Sequence, residues 1–389
     1  MTFGLQLRPE HRVFGAFAIY SFTMGNIFPR LPDIQHAMQV QEGALGLGLI
    51  GAPVGTLLAL TFATPLLERI GFRRALLALI PVMSVFYAVA SFAPNPLVFF
   101  FLLFPVGLAI GCIEIILNLE ADRTEHLVGH RIMNRAHAFW SLGFFGAGAV
   151  SAFIAQSGLS PQQHLMLMVP VAIIGTALIL GRFEPAAHRS GGNTDKTARF
   201  AAPTTGIFVL FVVVFSAVLM EGAGIDWSAN YMKTIFEASP FIASVAVATG
   251  ALAQGITRFF ADGFVERYSP KSVARVLLTI LGAGTVLVYF ANQDWMALLG
   301  FALIGVGSSA LFPLAMSAAA QRTDRPAAVN VAAFAQIAFG TFMLGPPLLG
   351  FVAEHWGIRW SFGIGLPLVI LSLIFAGALG KKPIPHEVD

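Results

Sequence analysis

Leu67-Glu68-Arg69-Ile70-Gly71-Phe72-Arg73 is answered, 198 positions further on, by Val265-Glu266-Arg267-Tyr268-Ser269-Pro270-Lys271. In a chain of 389 residues that offset is about half the length, so the sequence reads as two copies of one unit. Glycines repeat at nearly the same offset: Gly107 with Gly305, Gly143 with Gly340 and Gly148 with Gly345. Glycine is common in membrane helices, so each pair is weak alone; their concurrence points to a duplicated ancestor.

Each copy of the charged stretch lies between long apolar runs. A bilayer core needs about 20 apolar residues per helix. Such runs fall near 13–34, 43–67, 73–92, 97–120, 133–156 and 163–182, and again near 206–232, 240–261, 273–291, 295–320, 327–352 and 360–379. The spacing predicts an all-α polytopic membrane protein of twelve transmembrane helices in two pseudo-symmetric six-helix bundles. The expected bundles are 1–183 and 204–389. They are joined by a cytoplasmic linker at 184–203, rich in Ala, Gly, Ser and Thr.

Nearly all Lys and Arg occupy alternate gaps, whereas only Arg30, Lys233 and Arg359 fall in the others. Basic residues orient inserted helices from the inside, so both termini are expected in the cytoplasm of a bacterial inner membrane. The net charge of +3 then reflects topology, and no nucleic-acid partner is expected. A composition of 57% hydrophobic and 11% charged residues excludes an ordinary soluble domain, which carries about 25% charged residues. The short polar N-terminus lacks the pattern of a removable signal peptide, so the first helix is expected to direct insertion. Cys112, the lone cysteine, lies in the fourth run and reads as a packing residue.

The stretch Thr64-Pro65-Leu66-Leu67-Glu68-Arg69-Ile70-Gly71-Phe72-Arg73-Arg74 resembles the loop between the second and third helices of the major facilitator superfamily. Thr replaces that pattern's first Gly, and Glu its Asp. The second half keeps Arg258, Asp262 and then Glu266-Arg267. Three further stretches are similar to the YbjJ-like branch, itself near the fucose permeases. They are Arg30-Leu31-Pro32-Asp33-Ile34, His137-Ala138-Phe139-Trp140-Ser141-Leu142-Gly143 and Glu221-Gly222-Ala223-Gly224-Ile225-Asp226-Trp227-Ser228. The resemblance spans essentially the whole chain and implies a secondary carrier working as a monomer by alternating access. It also implies a latch at the cytoplasmic seam, carried by Glu68, Arg69, Arg73, Arg258, Asp262, Glu266 and Arg267. The same charges also serve simply to fix topology.

Ionisable residues deep in a bilayer are expensive and mark function by default. Glu114 and Asn118 sit one turn apart and share a face. With His137 at similar depth they form a proton-sharing candidate, or a static bond between the fourth and fifth helices. Glu221 lies mid-depth in the seventh run beside Gly222 and Gly224, which either let the helix bend or pack it closely against a neighbour. Glu114, His137 and Glu221 are the proton-coupling candidates.

Asn26, Arg30, Asn118, Trp140, Asp226, Asn230, Gln254 and Gln336 are the candidate substrate-cavity residues. Amides and aromatics suit a neutral polyhydroxylated ligand. Arg30 and Asp33 can pair at a proline-kinked helix end, and Arg30 can also attract an anionic group. Trp227 reads as an interfacial anchor. Fucose permease-like carriers use an acid in the first helix as well as the fourth, and Asn26 stands at that depth here.

Glu354-His355 is half a metal motif without its second His, so no metal is expected, nor any cofactor. No P-loop points to ATP, and no nucleophile-and-base signature points to an enzyme. The sequence therefore predicts proton-coupled uptake of a small polar solute, a sugar or related compound. A proton-coupled exporter of amphipathic molecules is the alternative.

Overall fold

The computed structural model describes residues 4–130, 132–186 and 201–380; the side chains of Asn134, Asp262, Glu266 and Ala328 lie outside the described residues. So does most of the expected linker. The first half contains α1 (Pro9–Gly25), α2 (Glu42–Phe62), α3 (Phe72–Ala90), α4 (Pro96–Val128), α5 (Met133–Gln156) and α6 (Pro161–Leu180). The second contains α7 (Thr205–Phe236), α8 (Pro240–Arg267), α9 (Pro270–Phe290), α10 (Asp294–Ala320), α11 (Ala327–Trp356) and α12 (Ile358–Leu379).

Among the described residues, 11 helices are long and apolar enough to cross a membrane. The twelfth, α1, has 17 residues. It ends earlier than the sequence predicts, because Pro29 and Pro32 each open a new element: a 3-10 turn at Phe28–Arg30 and a short helix at Leu31–Met38. Another short helix, Thr64–Ile70, follows α2.

The helix starts are written in polar caps followed by proline. Asn95-Pro96, Ser160-Pro161, Ser239-Pro240 and Ser269-Pro270 open α4, α6, α8 and α9, and each cap side chain accepts a backbone N–H of the first turn. Large apolar side chains such as Phe101, Phe153 and Ile374 point outward. In water they would be aggregation patches; here they meet lipid. Cohesion comes instead from close packing of small residues and from interhelical hydrogen bonds.

The duplication is visible in that packing. A Cβ on Gly107 of α4 would lie 1.8 Å from the Ala52 carbonyl oxygen of α2, and one on Gly305 of α10 would lie 2.2 Å from that of Gly250 on α8. Donor and partner are shifted by the same offset, so one helix crossing occurs once in each bundle. The other pairs do not repeat as packing: Gly143 presses on Ala18 of α1, while nothing lies within 4 Å of a Cβ on Gly340.

The halves meet most extensively where α5 runs along α8. Elsewhere contact is one-sided. α11 packs along the first part of α2, Glu42–Leu49, and barely touches the second, Gly51–Phe62. Gly46 lies against the Pro346 carbonyl and Gly350 against that of Glu42, and the Gly43 N–H donates to Glu354 at 3.1 Å. The 3-10 turn and the helix at Leu31–Met38 touch α7 at this same end. The bundle is thus closed at the end opposite the basic loops and diverges towards those loops.

At the basic end the loop before α11 holds the start of α7. Thr204 donates to Asp324 at 3.1 Å and Arg325 to the Ala202 carbonyl at 2.8 Å. Hydrogen bonds from Arg322 and Asn330 hold the Asp324 carboxyl low, at about 2. Its folded value lies below the ordinary carboxylate value, so this tether is intact at neutral pH and is lost only as pH falls through about 2.

Candidate functional site

Two polar clusters occupy the middle of the bundle, one in each half. In the first, the Tyr20 hydroxyl of α1 donates to Glu114 at 3.0 Å, and Asn118 donates to the other carboxylate oxygen at 3.0 Å. The spacing of Glu114 and Asn118 brought them to one face, and the structure joins them there. His137 is not part of this bond set among the described residues; its ring packs against Phe17 with centroids 5.1 Å apart. Tyr20 was missed by sequence reasoning, although a tyrosine inside an otherwise apolar run is itself a signal.

In the second cluster Gln254 of α8 donates to Glu221 of α7 at 2.8 Å, and Arg258 pairs with the same oxygen at 3.5 Å. Arg258 also donates to the Ser309 carbonyl at 3.0 Å and to the Ser141 hydroxyl of α5 at 3.3 Å. Its charge therefore bridges the halves at mid-depth, and it does not lie with the loop residues of the expected latch. The physical reason is its position one turn beyond Gln254 on a helix pressed along α5, which turns the guanidinium inward. Lipid on the other side offers it no partner.

Beside the second cluster lies a cavity of about 30 Å³, lined by Trp140, Phe144, Glu221, Gln254, Phe301 and Ser308. Trp140 stacks on Phe144 at 5.4 Å and 19°. A cavity of that size holds one or two waters. A sugar-sized ligand needs roughly 300 Å³ or more, so it enters only as the halves move apart.

A Cβ on Gly222 or Gly224 would meet nothing within 4 Å, so close helix packing does not explain these glycines. α7 runs unbroken through them. The double variant Gly222→Ala/Gly224→Ala is expected to be at least as stable as the wild type, since each exchange gains up to about 1 kcal/mol of helix propensity. If α7 bends here during the cycle the variant transports more slowly; equal initial uptake rates in proteoliposomes would remove bending at this depth from the mechanism.

Several sequence-predicted cavity residues lie elsewhere. Asn26 is buried and joins three helices, accepting from Ser151 of α5 at 3.4 Å and sitting 3.1 Å from the His164 ring nitrogen of α6. Gln336 of α11 accepts the Ala201 N–H at 3.3 Å, tying down the chain before α7. Trp227 is fully buried, its ring 3.0 Å from where a Cβ on Gly350 would lie, so it is no interfacial anchor.

Arg30 is buried as well, donating to the Leu159 carbonyl at 2.5 Å and pairing with Asp33 at 3.6 Å. Asp33 also binds Lys233 of α7, and Asn230 donates to Gln35. These contacts cross between the halves at the closed end, under a vestibule of about 910 Å³. Sequence reasoning missed Lys233 and Gln35, whose pairing depends on the short helix that follows α1.

The expected latch is not assembled. Glu68 and Arg69 are exposed and make no hydrogen bond or ion pair among the described residues, and Arg267 lies over its neighbour Tyr268. Arg73 donates to the Gly181 carbonyl after α6, a contact within its own half. Asp262 and Glu266 lie outside the described side chains. The halves diverge at this end, which leaves Glu68, Arg69, Arg73 and Arg267 without partners across the seam among the described residues.

Comparison with known proteins places this geometry. The family model described as the Major Facilitator Superfamily matches residues 209–388. The uncharacterized transporter y4wD of Sinorhizobium fredii is 28% identical over 372 residues, covering 95% of this chain and 97% of its own length. Among solved structures, a D-xylose–proton symporter superposes with a TM-score of 0.72 at 13% identity, covering 97% of this chain and 98% of that one. The Escherichia coli fucose:proton symporter FucP superposes at 0.61 and 16%, covering 96% and 98%. At those identities the structural likeness shows the fold.

Proposed function

We propose that this chain is a transporter of the Major Facilitator Superfamily, whose model matches its second half, and that it takes up a small polar solute, a sugar or related compound, together with protons by alternating access. The observation that carries this reading is the pair of mid-bundle polar clusters, Tyr20–Glu114–Asn118 and Glu221–Gln254–Arg258, with the Trp140 indole lining the cavity at the second. Two carboxylates, two amides and a guanidinium supply donors and acceptors for hydroxyls, and Trp140 supplies an apolar surface for a sugar-ring face. Glu114 is the coupling acid in this reading, because Tyr20 and Asn118 can stabilise its charge while no cation among the described residues fixes it. His137 and Glu221 are the further proton candidates.

The inward-facing direction of the opening follows from the basic loops, which we place in the cytoplasm with both termini. The protein then sits as a monomer in the inner membrane, with halves at 1–183 and 204–389 rocking about the α5–α8 seam. The latch charges Glu68, Arg69, Arg73, Asp262, Glu266 and Arg267 meet only when the basic end closes. Glu221 and the Gln254 amide at the central cavity support this reading, while the otherwise mostly apolar lining supports the alternative, proton-coupled export of amphipathic compounds.

The reading is tested in proteoliposomes holding a pH dye, screened with sugars, sugar acids and small organic anions. A solute that acidifies the lumen with wild type and fails to do so with Glu114→Gln supports both cargo class and coupling acid. Uptake without a proton signal, or equal signals from both proteins, would remove Glu114 from the mechanism and leave a carrier.

A further inference from the structure

Asp226, Asn230 and Lys233 follow one another at i, i+4 and i+7 along α7, so they share one face of the helix. Asn230 and Lys233 reach across to Gln35 and Asp33, which fixes that face as the one turned to the other half. Asp226, one turn deeper, is partly buried and has neither a hydrogen bond nor an ion pair among the described residues. The other acids nearby are all engaged: Glu114 by Tyr20 and Asn118, Glu221 by Gln254 and Arg258, Asp33 by Arg30 and Lys233. The cations are engaged too, Arg30 and Lys233 on Asp33, Arg258 on Glu221 and Arg359 on the Tyr289 carbonyl with its charge over Tyr231. Across the interface the titratable group that feels an Asp226 charge is Tyr87 of α3.

A carboxylate closed between two helix bundles without a counter-charge is strongly unfavourable, whereas a protonated carboxyl is not. Closure at this end by Asp33–Lys233 and Gln35–Asn230 confines Asp226 in that way; separation of the two halves there wets it. We propose that Asp226 is a proton-binding site that controls this gate: hydronium in the water outside transfers a proton to the carboxylate, leaving a neutral acid and water, and only the neutral acid allows the gate to close. The proposal rests on the proton-coupled reading above but assigns the gating proton to α7 and leaves Glu114 its own role.

Spin labels at Ser157→Cys and Asn292→Cys, in a Cys112→Ala background, report the distance across this end, since both positions are exposed on loops of opposite halves. In lipid nanodiscs the wild type is expected to shift its open-to-closed ratio by about tenfold or more towards open between acidic and alkaline pH. Asp226→Asn, a neutral acid mimic, is expected to lose that response and stay closed at every pH, with Asp226→Glu restoring it. Asp226→Ala serves in the same way should the amide variant not fold. A wild-type response persisting in Asp226→Asn and Asp226→Ala would overturn the proposal, as would a wild type whose distances ignore pH. Lumen acidification measured on the same proteins separates the two levels: solute-driven acidification without a gate response sinks Asp226 and keeps proton coupling, and its absence sinks the coupling.

Discussion

Arg258→Met destabilises the protein by about 3 kcal/mol and abolishes solute uptake. The guanidinium pairs with Glu221 at 3.5 Å while also donating to Ser309 and Ser141, so its removal leaves a carboxylate at mid-membrane without a counter-charge. Breaking a buried pair by deleting one partner costs about 3–5 kcal/mol, whereas replacing both by apolar groups is often neutral. The lower end applies because the two side chains keep 18% and 17% of their exposure. Glu221→Leu/Arg258→Met is therefore expected to regain most of the lost stability and none of the uptake. The check is a double-mutant cycle of thermal unfolding in detergent, read by tryptophan fluorescence beside uptake. Single variants as stable as the wild type would mean that water in the cavity already screens the pair.

Gly107→Ala prevents accumulation of folded protein, or lowers its stability by about 3 kcal/mol or more. The added methyl would lie 1.8 Å from a backbone oxygen on α2, an atom that cannot swing aside as a flexible side chain can. Overpacking of a close-packed interior costs about 1–3 kcal/mol even where side chains can yield, and here whole helices must separate. Gly305→Ala, 2.2 Å from the Gly250 carbonyl, is expected to follow at somewhat smaller size, while Gly340→Ala, with nothing within 4 Å, is tolerated. Size-exclusion profiles and unfolding midpoints of the three variants test the order. Equal behaviour of all three would refute a shared crossing as the basis of the repeat.

The repeat of Leu67–Arg73 at Val265–Lys271, the apolar run lengths and the one-sided distribution of Lys and Arg determined the fold class and the number of spans without tertiary information. These are local or additive properties: run length is matched to lipid thickness, and charge bias acts on each short loop. Glu114 with Asn118 was legible for the same reason, since one helical turn is a fixed geometry. The partners were not. Whether Arg258 faces a seam or a cavity, whether Trp227 meets lipid or α11, and whether Asn26 lines a path or joins three helices depend on how each helix is rotated against its neighbours. Every span here is apolar on most of its circumference, because lipid and protein interior are alike to it. Hydrophobic periodicity therefore carries little information about which face turns inward. Only the packed arrangement, set by close glycine crossings and by polar groups that find one another, decides that Glu221 is paired and that Asp226, among the described residues, is not.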